Sequence, residues 1–171
     1  KNPKCIELLK SIYPRFGLNP LVKRLCEKKK KESHLNDQSI WPYPDERIAL
    51  KAKKYCDKNT SKGSSYIERR HNLFFLITRE SASIYAKSFW QHTGLGLSSR
   101  AAAIELGIEE CPSKSLANES YQRIKDRISK FTKSSSNDVH LTSSGMSALY
   151  TSLEIIYKLF PDRPTLQIGF P

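Results

Sequence analysis

No CxxC pair, no HxxxH and no HxH spacing occurs anywhere in these 171 residues. That absence excludes zinc knuckles, thioredoxin-type redox chemistry and helix-borne metal sites. The four cysteines, Cys5, Cys26, Cys56 and Cys111, are spread widely and irregularly. They read as free thiols of a cytosolic protein, and none sits at a strand–helix elbow where a nucleophile would be activated. No apolar run approaches the roughly 20 residues that a membrane span requires. The chain opens Lys1-Asn2-Pro3, with neither a methionine nor an apolar leader, and stops at Gly169-Phe170-Pro171 in what reads as a strand entering a turn. The expectation is a cytoplasmic piece of a longer protein, with the nucleus as the alternative compartment and no membrane partner.

What is present suffices for a globular unit: 38% hydrophobic and 27% charged residues allow a packed core and argue against disorder. Lys and Arg number 29 against 17 Asp and Glu, a formal charge of +12. The basic residues are scattered, except for Lys28 to Lys31 with Lys23 and Arg24 nearby. Such a run after a helix reads as a solvated tail before it reads as a nucleic-acid patch.

Apolar spacing and cap residues predict the elements. A first helix covers Pro3 to Ser11. A second starts at Asn19-Pro20, with asparagine as cap and proline at the first helical position, and turns Leu21, Val22 and Leu25 inward. Lys28 to Ser39 reads as a polar loop and Trp41-Pro42-Tyr43-Pro44 as a turn with aromatic anchors. Asp45 caps a helix to about Asp57, its face formed by Ile48, Ala52 and Tyr55. After a Ser/Lys/Gly linker, 65–69 and 73–78 read as strands, the second wholly apolar and so buried. Helices follow over about 81–90 and 98–106. Leu116, Tyr121, Ile124, Ile128 and Phe131 trace the stripe of another. Last come strand 139–142, a Ser-Ser-Gly turn, helix 145–159 with Met146, Leu149, Leu153, Ile156 and Phe160 inward, and strand 165–169. That order is a βαβ unit, the building block of a parallel sheet.

The turn carries the chemistry. Backbone N–H groups at a helix N-terminus suit an anion, most often a phosphate. Gly145 lets a ligand approach the backbone, and Ser143, Ser144 and Ser147 offer hydroxyls. A plain capped strand–helix junction, with Ser144 as cap and nothing bound, explains the same residues equally well. Of the histidines, His92 reads as a helix end, His140 as a hydrogen-bonded residue of a buried strand, and His34 and His71 as loop residues. Trp41, Tyr43 and Trp90 read as core anchors rather than base-stacking platforms.

Thr142-Ser143-Ser144-Gly145-Met146-Ser147-Ala148 resembles the cofactor-phosphate turn of the pyridoxal-phosphate enzymes of cysteine and methionine metabolism. Three more stretches look like the divergent fungal cystathionine γ-synthases of that family. They are Tyr13-Pro14-Arg15-Phe16 with the helix up to Cys26-Glu27, Trp90-Gln91-His92-Thr93-Gly94 with Ser98-Ser99-Arg100, and Gly169-Phe170-Pro171. The resemblance implies a helix-rich α/β fold, the N-terminal part of a fold-type I transferase-like domain. Residues 1–60 would form a helical N-terminal segment, 61–115 two strands and helices, and 116–171 the start of the cofactor-binding large domain, all parts of one larger domain.

It implies further that Ser143, Ser144, Gly145 and Met146 hold the phosphate of pyridoxal 5'-phosphate. Family members add a Tyr-x-Arg pair from across a dimer interface. Here Ser98 stands at the tyrosine position and Arg100 is the candidate guanidinium, an ordinary surface arginine being the alternative. The implied parent is a homo-oligomer that replaces the γ-substituent of an activated homoserine with cysteine. A cystathionine lyase, an O-acetylhomoserine sulfhydrylase, an inactive relative and a basic phosphate- or nucleic-acid-binding module are the alternatives. The family's Schiff-base lysine follows the phosphate turn. Lys158 is the only lysine after Met146 here and sits within the helix, while Thr60-Ser61-Lys62-Gly63 precedes the turn. No catalytic residue is therefore expected in this segment, and no metal site.

Overall fold

A computed structural model describes residues 17–61 and 63–166. The helix expected at Pro3 to Ser11, Cys5, the Tyr13–Phe16 stretch and Gly169-Phe170-Pro171 lie outside the described residues. In chain order the elements are α1 (Pro20–Glu32), β1 (Gln38–Tyr43), α2 (Glu46–Asn59), β2 (Ser65–Arg70), β3 (Leu73–Arg79), α3 (Glu80–Thr93), α4 (Ser99–Glu105), α5 (Lys114–Thr132) and α6 (Gly145–Leu159). The fold is α/β and helix-rich, with one small sheet.

The helices begin where their caps dictate. The Asn19 side chain accepts from the Leu21 N–H at 2.9 Å, and Asp45 from the Arg47 N–H at 2.8 Å. The helix face that α2 buries is Ala49, Ala52 and Cys56, one residue round from the expected stripe; Ile48 is half-buried and Tyr55 exposed. Small side chains there let α2 lie close against α3 and the sheet.

Strand order in the sheet is β1-β3-β2, antiparallel throughout. The apolar run of β3 is the central strand, with Phe75, Leu76 and Ile77 fully buried. One sheet face meets α2 and α3 through Trp41, Tyr43, Leu76, Phe89 and Trp90; the other meets α1 and α4 through Val22, Leu25, Ile40, Phe75 and Ile77. Trp41 and Trp90 pack with their rings tilted, 6.0 Å between centroids, as core anchors.

Several expectations fail. Lys28 to Ser39 is not a loop: α1 continues to Glu32 and β1 starts at Gln38. Lysines have good helix propensity, and Lys29 is buried, its ammonium 2.5 Å from Glu68 and over the Phe75 ring at 5.8 Å. The solvated-tail reading therefore fails for that residue. Trp41-Pro42-Tyr43 is strand rather than turn; β1 is an edge strand, where a proline without its N–H is tolerated.

The βαβ unit does not form among the described residues; 167–169 of its second expected strand lie outside them. Residues 139–142 join no ladder, and Thr165 and Leu166 are irregular, with Leu166 exposed. A strand exists only with a pairing partner, and the sheet's ladders run between β1, β3 and β2 without taking in 139–142. His140 is accordingly exposed instead of sitting in a buried strand. Helices α5 and α6 form where expected, but their apolar stripes face outward: Phe131 is 92% exposed, and Leu149, Ile156 and Phe160 are exposed as well.

Candidate functional site

The Ser-Ser-Gly turn sits at the N-terminus of α6 and packs on the C-terminus of α3. Its internal bonds are a reciprocal capping box. The Ser147 N–H donates to Ser144 Oγ at 3.1 Å, and the Ser144 N–H donates to Ser147 Oγ at 3.0 Å. Serine at the third helical position performs the part usually taken by glutamate or glutamine. The Ser147 hydroxyl also donates to the Ser144 carbonyl at 2.8 Å, and Ser147 is fully buried. It is thus committed inside the turn rather than available to a ligand. Thr142 Oγ1 donates to the same carbonyl at 2.9 Å.

The outer contact is with Gly94. Ser144 Oγ donates to the Gly94 carbonyl at 3.2 Å and Ser143 Oγ to the same oxygen at 3.4 Å. Gly94 ends α3 in the left-handed region, φ 64°, and its N–H reaches back to the Trp90 carbonyl. A Cβ there would lie 2.6 Å from Ser144 Oγ, 2.8 Å from Met146 Cβ and 2.8 Å from the Ser147 nitrogen. Glycine is needed at this position both for its φ and for the close approach. Two residues on, Gly96 lies against the Cδ1–Nε1 edge of the Trp90 indole, where a Cβ would come within 2.4 Å of Cδ1.

Two donors remain. The Gly145 and Met146 N–H groups, at the start of α6, donate to no acceptor among the described residues. Gly145 is exposed, and nothing lies within 4 Å of where its Cβ would be. An anion can approach there, drawn by two amides and the positive end of a 15-residue helix. The arrangement fits a phosphate as a two-amide site, without a side-chain cation.

Arg100 has no hydrogen bond or ion pair to the turn among the described residues. It is exposed on α4, which packs on α1, and it makes no ion pair among the described residues. Ser98, at the position where the resemblance implies a tyrosine, is the N-cap of α4 and accepts from the Ala101 N–H at 3.2 Å. Lys158 lies exposed on α6. His92 is in the last turn of α3, as expected, and His71 sits in the β2–β3 hairpin with Nδ1 3.0 Å from Glu105. Cys26 and Cys56 are buried free thiols. Burial pushes the first up to about 12 and the second up to about 11, so neither is an activated nucleophile. Among the described residues no cluster of side chains has the makings of a metal site, and no helix is long and apolar enough to cross a membrane.

The contact that organises the turn, Gly94, was legible only as a helix stop. Its partner lies 50 residues away in sequence, and no local pattern announces such a contact.

No curated protein and no solved structure matches this chain. Residues 21–98 do match a family model, described as the fungal trans-sulfuration enzyme, N-terminal domain. That span runs from α1 through α3 to the cap of α4, so it takes in the whole sheet and Gly94, which receives the serine turn. Over residues 21–98 this chain resembles the N-terminal domain of the fungal trans-sulfuration enzymes.

Proposed function

We propose that this chain is the N-terminal part of a pyridoxal-phosphate-dependent trans-sulfuration enzyme and that its 143–146 turn holds the cofactor phosphate in the full protein. The observation that carries this reading is the docking of the serine turn on Gly94, inside the span that matches the family. It leaves the Gly145 and Met146 amides without an acceptor among the described residues, with Gly145 exposed to an approaching anion.

When bound, pyridoxal phosphate would supply an electron sink that stabilises a carbanion at the amine-bearing carbon of the substrate. This segment contributes anchoring. Gly145 and Met146 donate their N–H groups to the phosphate, Ser144 and Ser147 hold the backbone that aims them, and the α6 dipole favours the negative charge. The groups that engage the cofactor ring come from elsewhere in the parent. Arg100 makes no ion pair within one copy among the described residues, and a contact with the phosphate across an oligomer interface is the role the family resemblance gives it. The substrate class is an activated homoserine with cysteine as the incoming thiol, giving γ-replacement. A lyase or sulfhydrylase of the same family is the alternative.

The test is purification of the full-length protein that carries this chain, followed by titration with pyridoxal phosphate. A visible absorbance band from the bound cofactor is expected, and its absence overturns the proposal. Cystathionine formed from cysteine and O-acetylhomoserine identifies the synthase; breakdown of cystathionine without that synthesis identifies a lyase.

A further inference from the structure

We infer that Gly94 is a positioning residue for the cofactor turn: its carbonyl and its missing side chain together set the direction in which the Gly145 and Met146 amides point. For its ligand readout this rests on the function proposed above; the geometry stands by itself.

Three features converge on this residue. Its carbonyl accepts from both Ser143 Oγ and Ser144 Oγ, at 3.4 and 3.2 Å, so one oxygen fixes two consecutive residues of the turn. Its α-carbon is where the first turn of α6 seats, because any Cβ would come within 2.8 Å or less of Ser144, Met146 and Ser147 atoms. Its own place is fixed from the sheet side. Gly94 N–H bonds to the Trp90 carbonyl, Thr93 Oγ1 donates to the Phe89 carbonyl at 2.8 Å, and Leu97 N–H donates to the Pro42 carbonyl of β1 at 3.1 Å. The segment that receives the turn is therefore tied to α3 at one end and to the sheet at the other.

Met146 is part of this contact, and its amide is one of the two free donors. A displacement at Gly94 passes directly into the aim of that donor. No ligand contact by Gly94 is needed, so it acts through the turn.

The other left-handed glycines provide the control. Gly107, φ 71°, and Gly63, φ 85°, have nothing within 4 Å of where a Cβ would stand, so alanine there meets backbone strain without a clash.

The experiment uses the full-length protein with Gly94→Ala, Gly107→Ala and Ser144→Gly, the last removing the hydroxyl from the Gly94 carbonyl while keeping an acceptable cap. Amide hydrogen exchange is followed at 142–148 and across β3, alongside titration with pyridoxal phosphate. Gly94→Ala and Ser144→Gly are expected to speed exchange in the turn and weaken cofactor binding about tenfold or more. Protection in β3 stays unchanged, and Gly107→Ala changes neither readout. Should Gly94→Ala not fold, Ser144→Gly carries the test. Unchanged turn exchange in the folded variants, or faster exchange with cofactor affinity at the wild-type value, overturns the inference. Faster turn exchange in a protein whose wild type binds no cofactor leaves the positioning intact and defeats the functional proposal instead.

Discussion

Lys51 on α2 and Glu154 on α6 form an ion pair at 2.5 Å, and the Tyr150 hydroxyl donates to the same carboxylate at 3.1 Å. Phe89 of α3 meets the Tyr150 ring edge-on at 6.4 Å. These contacts, together with the Gly94 seat, are what hold α6 to the sheet-bearing unit.

The triad makes the docking of α6 sensitive to pH. Burial pushes the Glu154 carboxyl up, but the Lys51 ammonium and the Tyr150 hydroxyl together outweigh it and hold the carboxyl below its usual range. A depressed carboxylate contributes stability above its unfolded value, about 4.3, and loses it as pH falls through the folded one. Burial first, and then Glu154, push the Tyr150 phenol up to about 12. Its contribution is present below the unfolded value, about 10, and is lost as pH climbs toward the folded one. Glu154→Gln should cost under about 1 kcal/mol at neutral pH, because the pair is partly exposed. It should also flatten the acid limb of the stability curve, as read by chemical denaturation between pH 3 and 7.

Tyr43 is fully buried, and its hydroxyl has no hydrogen-bond partner among the described residues. The ring packs edge-on against Phe89 at 6.2 Å. Tyr43→Phe keeps the ring and removes an unsatisfied polar group, so denaturation should show a change between zero and about 2 kcal/mol in the stabilising direction.

Phe89 and Phe131 should behave as opposites. Phe89 is 6% exposed and contacts Tyr43, Tyr55 and Tyr150, whereas Phe131 is 92% exposed. Truncation of Phe89 to alanine is expected to cost about 3–5 kcal/mol. The same change at Phe131 should stay within about 0.5 kcal/mol. Paired denaturation curves check both.

Gly96→Ala forces a methyl into the Trp90 indole, with 2.4 Å available. The expected loss is about 1–3 kcal/mol from overpacking, with a shift in Trp90 fluorescence as the accompanying signal.

What could be read in advance followed from local chemistry. The unbroken apolar run of β3 announced a buried strand, and it is the central one. Asn19, Asp45 and Ser144 announced helix starts through their side-chain oxygens, and each does cap. What failed depended on partners far along the chain. The prolines in Trp41-Pro42-Tyr43-Pro44 favour a turn by themselves, and only pairing with Phe74 to Leu76 makes the first three residues a strand. Val139 to Thr142 has strand chemistry but no neighbour to pair with. The spacing of Leu149, Leu153 and Ile156 identified a helix correctly, yet which way that stripe faces is decided by what α6 docks on, namely Gly94 and Lys51. At the turn, residue type alone suggested three serine hydroxyls for a ligand; the capping box takes Ser147 out of that set.

The role proposed for the Gly145 and Met146 amides is to receive the cofactor phosphate. Residue-resolved amide exchange on the full-length protein, with pyridoxal phosphate and separately with pyridoxal, tests it most directly. Protection of both amides by pyridoxal phosphate, but not by the phosphate-free aldehyde, is the predicted result. Equal exchange with and without the phosphate would contradict that role.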